Sequence, residues 1–183
     1  MLLVSKMIGL PVVEQGSNET IGRVKNILFS KNRKNIRAVL IKMPHSLKTF
    51  IAYFEDISDI KNNLIEVNDK SAIRLYRKRI RKFFKRIFSD YNEIVKKNVK
   101  SVEGDRLGFV NDFFINEYSG RIEVMKISKG LFDDILKGRI MMPLSWNTEI
   151  SDEITIDRES LEEIGTGEGG IINKIKRNNN IKE

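Results

Sequence analysis

One stretch of this chain is written twice, and that duplication limits what it can fold into more than any other feature. Residues 19–30, ETIGRVKNILFS, recur 86 positions later as DRLGFVNDFFIN, residues 105–116. The register continues without a gap, so that Ile21, Gly22, Val24, Ile27, Ile36 and Ile41 fall on Leu107, Gly108, Val110, Phe113, Ile122 and Ile127. Apolar, glycine and turn positions that stay in step over such a length mark an internal duplication. One small unit has been built twice. Each copy has about seventy residues, a size that buries a limited share of its surface. Packing between copies, against a linker or in a homo-oligomer is therefore expected.

Within the first copy, residues 11–13 start a short strand, and Gly16 supplies a turn. Residues 21–29 mix β-branched and aromatic residues with polar ones, as a half-buried strand does. SKNRKN, 30–35, reads as a polar turn and 36–43 as the returning strand of an antiparallel hairpin. Later strands fall at 50–53 and, after Asn62-Asn63, at 64–67. The second copy repeats the plan at 107–115, 121–127, 140–144 and 153–156, with a longer loop at 129–139 holding a helical turn near 131–136. A short helix at 160–164 and a flexible tail from Gly165 end the chain. Short strands at this spacing predict a small antiparallel barrel or sandwich. Gly22 and Gly108 both open the first hairpin strand, where a glycine suits a bulge or a sharp corner.

Residues 69–92 break this pattern. Ile73, Tyr76, Ile80, Phe83, Phe84 and Ile87 recur at intervals of three and four, which predicts a helix capped by Asn68 or Asp69. Basic side chains fill the rest of its surface. Residues 1–68 carry 10 basic and 6 acidic side chains, 69–100 carry 12 and 3, and 101–183 carry 11 and 16, so within a net charge of +8 the basicity is local to the middle. Arg74, Arg77, Lys78, Arg81, Lys82, Lys85 and Arg86 are the candidate residues for binding an anionic partner. Three uses suit such a helix: a connector covering a barrel, a contact for RNA phosphates, or an anchor on anionic lipid.

The chain has no cysteine, which excludes disulfides, thiolate metal sites and a cysteine nucleophile. Its one histidine, His45, follows Pro44 in a loop and reads as an exposed loop residue rather than a general base. Asp133-Asp134 and Asp152-Glu153 are sequence neighbours that point to different sides, and read as solvated. GTGEGG, 165–170, lacks the strand-to-helix setting of a phosphate loop and reads as a linker. Trp146 is expected to fill the second barrel. The N-terminus is interrupted by Lys6, Gly9 and Pro11, so neither a signal peptide nor a membrane span is read, and the cytoplasm is the expected compartment.

Ile21-Gly22-Arg23-Val24 and Leu107-Gly108-Phe109-Val110 resemble the strand-and-hairpin motif of the PRC-barrel family. Met142-Pro143-Leu144-Ser145-Trp146 and, more loosely, Ala52-Tyr53-Phe54-Glu55-Asp56-Ile57 resemble its later stretch. The resemblance implies β-barrel docking modules without catalytic residues. One relative docks a ribosome-maturation factor on the small subunit, and another forms the cytoplasmic part of a photosynthetic reaction-centre subunit. The expectation is thus a mostly β protein, with two tandem small antiparallel β-barrels, 1–68 and 93–164, joined by a basic amphipathic α-helix over 69–92. Its expected role is non-enzymatic docking or adaptor work on a protein or ribonucleoprotein partner, with no cofactor or metal. The alternative is peripheral attachment to anionic lipid at the inner face of the membrane.

Overall fold

Alternating and near-continuous apolar runs both become strand in the computed structural model, which describes residues 1–17, 19–30, 34–61, 63–77, 88–130, 139–144, 149–150 and 153–156. After β1 (Leu2–Leu3), the first copy forms β2 (Pro11–Glu14), β3 (Thr20–Ser30), β4 (Ile36–Lys42), β5 (Thr49–Tyr53), β6 (Ile57–Ile60), β7 (Ile65–Val67) and β8 (Arg74–Leu75). Their order in the sheet is β6-β7-β2-β3-β4-β5-β8. The β2–β7 pair is parallel, with Val12 opposite Ile65, and the other neighbours on this path are antiparallel.

The second copy reproduces that order. β10 (Asn98–Ser101), β11 (Arg106–Ile115), β12 (Ile122–Ser128), β13 (Ile140–Pro143), β14 (Glu149–Ile150) and β15 (Ile154–Ile156) run β13-β12-β11-β10-β15-β14, again with one parallel pair, β10–β15. Strand for strand this is the first sheet without β8. The duplication in the sequence is a duplication of fold. Both halves are mostly β, as expected, but no closed barrel is found among the described residues. One sheet ends on β6 and β8, the other on β13 and β14. Strands as short as β8 and β14 leave little open edge to invite further pairing.

The helix expected over 69–92 is not found in the described part of that range. Asp69 does cap, accepting the Ser71 N–H at 2.6 Å, but what it caps is a single 3-10 turn, Lys70–Ala72. Arg74 and Leu75 then pair with Ile51 and Phe50, and the Tyr76 N–H donates to the Thr49 carbonyl at 2.9 Å. β5 offers unpaired backbone groups, and satisfying them overrides the helical period of the side chains. At the far end, β9 (Phe88–Asp90) pairs with β3. Residues 78–87 lie outside the described residues, as do the helical segments expected at 131–136 and 160–164, the tail from 165, Trp146, Asp133, Asp134 and Asp152.

The chain divides into two compact units, Met1–Ile94 with Phe114–Ile122, and the described residues of 95–113 and 123–183. The first unit thus contains the hairpin tip of the second copy. There the Ile36 N–H donates to the Gly120 carbonyl at 2.8 Å, the Ile122 N–H donates to the Lys34 carbonyl at 2.9 Å, and Asn35 bridges Arg121. These three pairs join positions that the duplication makes equivalent. Leading strands are exchanged in the same way: Leu2 and Leu3 lie opposite Ile115 and Phe114, while Ser89 and Asp90 lie opposite Phe29 and Leu28. One helical turn follows each, Val4–Met7 and Tyr91–Ile94, and each buries its first and last residues.

Gly22 and Gly108 sit where the pairing slips. Val12 faces Gly22 and Val13 faces Thr20, just as Val99 faces Gly108 and Lys100 faces Arg106. A Cβ on Gly22 would lie 2.7 Å from both the Ile41 side chain and the Lys42 carbonyl. On Gly108 it would strike the Ser128 carbonyl, and Gly108 also has φ +142°. Gly22→Ala and Gly108→Ala are each expected to cost about 1–3 kcal/mol, with the larger loss at Gly108 where strain adds to overpacking. Urea unfolding measures this, and unchanged midpoints would refute the account of the bulge.

Candidate docking groove

A groove of about 560 Å³ opens in the first unit between β3, the β4–β5 loop, the chain after β8, and β9. Its floor is apolar because β4 is buried on both faces. Leu28, Ala38, Leu40 and Ile51 form a small cluster on one side of the sheet, and Tyr53, Tyr76 and Phe88 pack against it. Leu40, Leu75 and Tyr76 reach the groove. The backbone bond from Tyr76 to Thr49 fixes that floor at one end.

Leu47 lines the same groove from the β4–β5 loop and is fully exposed, at 101% of its reference area. The loop that carries it is braced. His45 takes a left-handed conformation, φ 55°. The Lys42 ammonium donates to the Ser46 carbonyl, and the Lys48 N–H donates to the Ser46 hydroxyl oxygen at 3.1 Å. A leucine on a loop held by two hydrogen bonds at Ser46 is presented to solvent rather than tucked under the sheet.

Exposed cations surround this floor. Lys25 comes from β3, Lys48 follows Leu47, and Arg77 follows β8. None of the three forms an ion pair among the described residues. The one acid among the described lining residues, Asp90, accepts a hydrogen bond from the Asn26 amide at 3.2 Å. The opening is therefore cationic above and aliphatic and aromatic below, a surface suited to holding an anionic group beside an apolar one.

A second hollow of about 430 Å³, also in the first unit, is lined by Phe54, Ile57, Asp59, Glu66, Glu117 and Tyr118 among others. Its acids are already answered. Lys61 stands 2.6 Å from Glu66 and 3.8 Å from Asp59, and the bond to Glu66 raises its pKa. Glu117 is lowered by its own backbone N–H and by the Met1 ammonium, 3.1 Å away. Among the described residues no three His, Asp or Glu side chains gather to hold a metal ion.

Of the seven candidate residues named from the sequence, two are described. Arg77 lines the groove. Arg74 is engaged elsewhere, with its guanidinium 5.5 Å from the centre of the Tyr53 ring and 3.9 Å from Asp56 Oδ2. Lys78, Arg81, Lys82, Lys85 and Arg86 lie outside the described residues. The groove adds Lys25, Leu47, Lys48 and Tyr76, and the one sequence signal for it was a leucine beside a lysine in an otherwise polar loop, PHSLK. His45, read as an exposed loop residue, is one.

Asp56 Oδ2 is buried without a hydrogen-bond donor among the described residues, and Arg74 stands within ion-pair range but beyond hydrogen-bonding range. Because the Arg74 side chain is 60% exposed, water screens the pair. A double-mutant cycle on Asp56→Ala and Arg74→Ala should give a coupling below about 1 kcal/mol. A much larger value would make Arg74 a structural residue whose removal unsettles β5 and β8.

A family model for the PRC-barrel domain matches this chain twice, over residues 1–74 and 87–162. A search of curated proteins found no match. The two matches cover most of the sequence and coincide with the two copies of the sheet, so the chain belongs to the PRC-barrel domain family, in tandem form.

Proposed function

We propose that this protein is a non-enzymatic docking protein that holds a protein or ribonucleoprotein partner in the groove beside Leu47. PRC-barrel domains often mediate protein interactions, which supports the class of function. The observation that carries the reading is the braced, fully exposed Leu47 standing over an apolar floor. Moving such a side chain from water into a contact recovers about 1.5–3 kcal/mol, and the braced loop reduces the ordering cost of making that contact. The flanking cations add steering and register. The described polar groups of the groove do not bring a nucleophile and a base together, which favours holding over bond chemistry.

Peripheral attachment to anionic lipid is the second reading, and it draws on Lys78, Arg81, Lys82, Lys85 and Arg86. The described flank of that segment favours the groove: Arg74 is turned to Tyr53 and Asp56, and Leu75 sits in a sheet.

Affinity purification from the native cell tests the two together. With the wild-type protein, a defined set of proteins should co-purify at moderate salt. Leu47→Asp should deplete that set at least about tenfold while leaving the thermal midpoint within a degree or so, because the residue is fully solvated. An unchanged set would remove the groove from the docking surface. Flotation with anionic vesicles that is indifferent to Leu47→Asp would favour the lipid reading.

A further inference from the structure

We infer that the occupant of this groove is an acidic peptide segment of the partner protein, one that carries a bulky apolar side chain between its carboxylates. This rests on the docking reading and names the chemistry of what is docked.

The argument is one of complementarity. Lys25, Lys48 and Arg77 are exposed, without ion pairs among the described residues, and come from three separate places in the chain. A segment with several carboxylates along its length can answer all three. Asp90, whose Oδ1 accepts from the Asn26 amide, is outnumbered by these three cations among the described lining residues. The apolar part is equally specific. Leu47 and Leu75 are aliphatic, and Tyr76 is half-buried against Leu40 rather than standing free, so the floor accepts an aliphatic or aromatic side chain edge-on. Unpaired bases are bound by stacking on open aromatic or guanidinium faces; Tyr76 is packed against the Leu40 cluster, so Arg77 is the one such face among the described lining residues, too few for a run of bases. A volume of about 560 Å³ holds a few residues of peptide.

Fluorescence anisotropy with the full chain tests this at moderate salt. The probe is a labelled peptide of aspartate and glutamate around a central Leu-Phe pair. Controls are the same peptide with lysine for every acid, the same with serine for Leu-Phe, a uridine oligonucleotide and phosphatidylglycerol vesicles. The acidic apolar peptide should bind at least about tenfold more tightly than either peptide control, with affinity falling as salt rises. Lys48→Glu and Arg77→Glu should each weaken it about tenfold or more, and Leu47→Ser should weaken it without changing the salt dependence. Lys48→Gln, a milder change at the same exposed site, should give a smaller loss. Equal binding of the lysine peptide, binding unaltered by these variants, or preferential binding of the oligonucleotide or vesicles with the same variant sensitivity would each overturn the inference. If the peptide fails to bind while Leu47→Asp still strips partners from the purified protein, the docking reading stands and the acidic occupant falls. If neither responds, both fall.

Discussion

The structure depends on a reciprocal set of backbone hydrogen bonds at the two hairpin tips. Ile36 and Ile122 are each 1% exposed, so their N–H groups have no access to water. Each finds its acceptor in the other copy: Ile36 in Gly120, Ile122 in Lys34. Losing either partner would strand a buried donor at a cost of about 1–3 kcal/mol. The acceptors are presented by residues in the left-handed conformation, Lys34 at φ 50° and Gly120 at φ 66°, and the ring of Phe54 closes over Gly120 so that a Cβ there would lie 2.9 Å away. The exchange of leading strands extends the same logic, since Leu2–Leu3 and Ser89–Asp90 each complete a hairpin that the other copy made. A unit of about seventy residues with open sheet edges gains from this what its own core is too small to supply.

What the sequence made legible followed from side chains. The duplicated hairpin, the strands at 107–115 and 140–144, and the special role of Gly22 and Gly108 were all visible because apolar spacing and a missing Cβ leave marks in the letters. What it hid was decided by the backbone. Ser89 and Asp90 share nothing with Leu2 and Leu3, yet occupy the same place, because a strand edge asks for N–H and carbonyl groups rather than for particular side chains. The copies are offset by 87 in their leading strands and by 86 from β3 onward, the turn between β2 and β3 being one residue shorter in the second copy. A match built on the 86-residue register therefore fades where the structural repeat continues. Residues 73–76 have a real helical period, but the edge of β5 claims Arg74 and Leu75. The groove was illegible for another reason: Lys25, Lys48 and Arg77 are far apart in the chain, and only pairing of β3, β4, β5 and β8 brings them together.

The two sheets share a plan but not a surface. Position 40 is Leu in β4, and its equivalent in β12 is Lys126; Lys25 has Asn111 as its counterpart. β4 is buried at Ala38, Val39, Leu40 and Ile41 in succession, whereas β12 leaves Glu123, Val124 and Lys126 half-exposed. That difference has a local cause. In the first unit Tyr53, Tyr76 and Phe88 cover the outer face of β4, and two of the three arrive with β8 and β9, strands that flank the basic segment. β8 has no counterpart among the described strands of the second sheet. Tyr76 and Phe88, at the two ends of the basic stretch, are thus also what gave β4 a second buried face and left an apolar floor exposed at its margin. Duplication supplied two equivalent scaffolds, and the segment between them made one unlike the other. A groove that arises from such a break in equivalence belongs to one copy, the first.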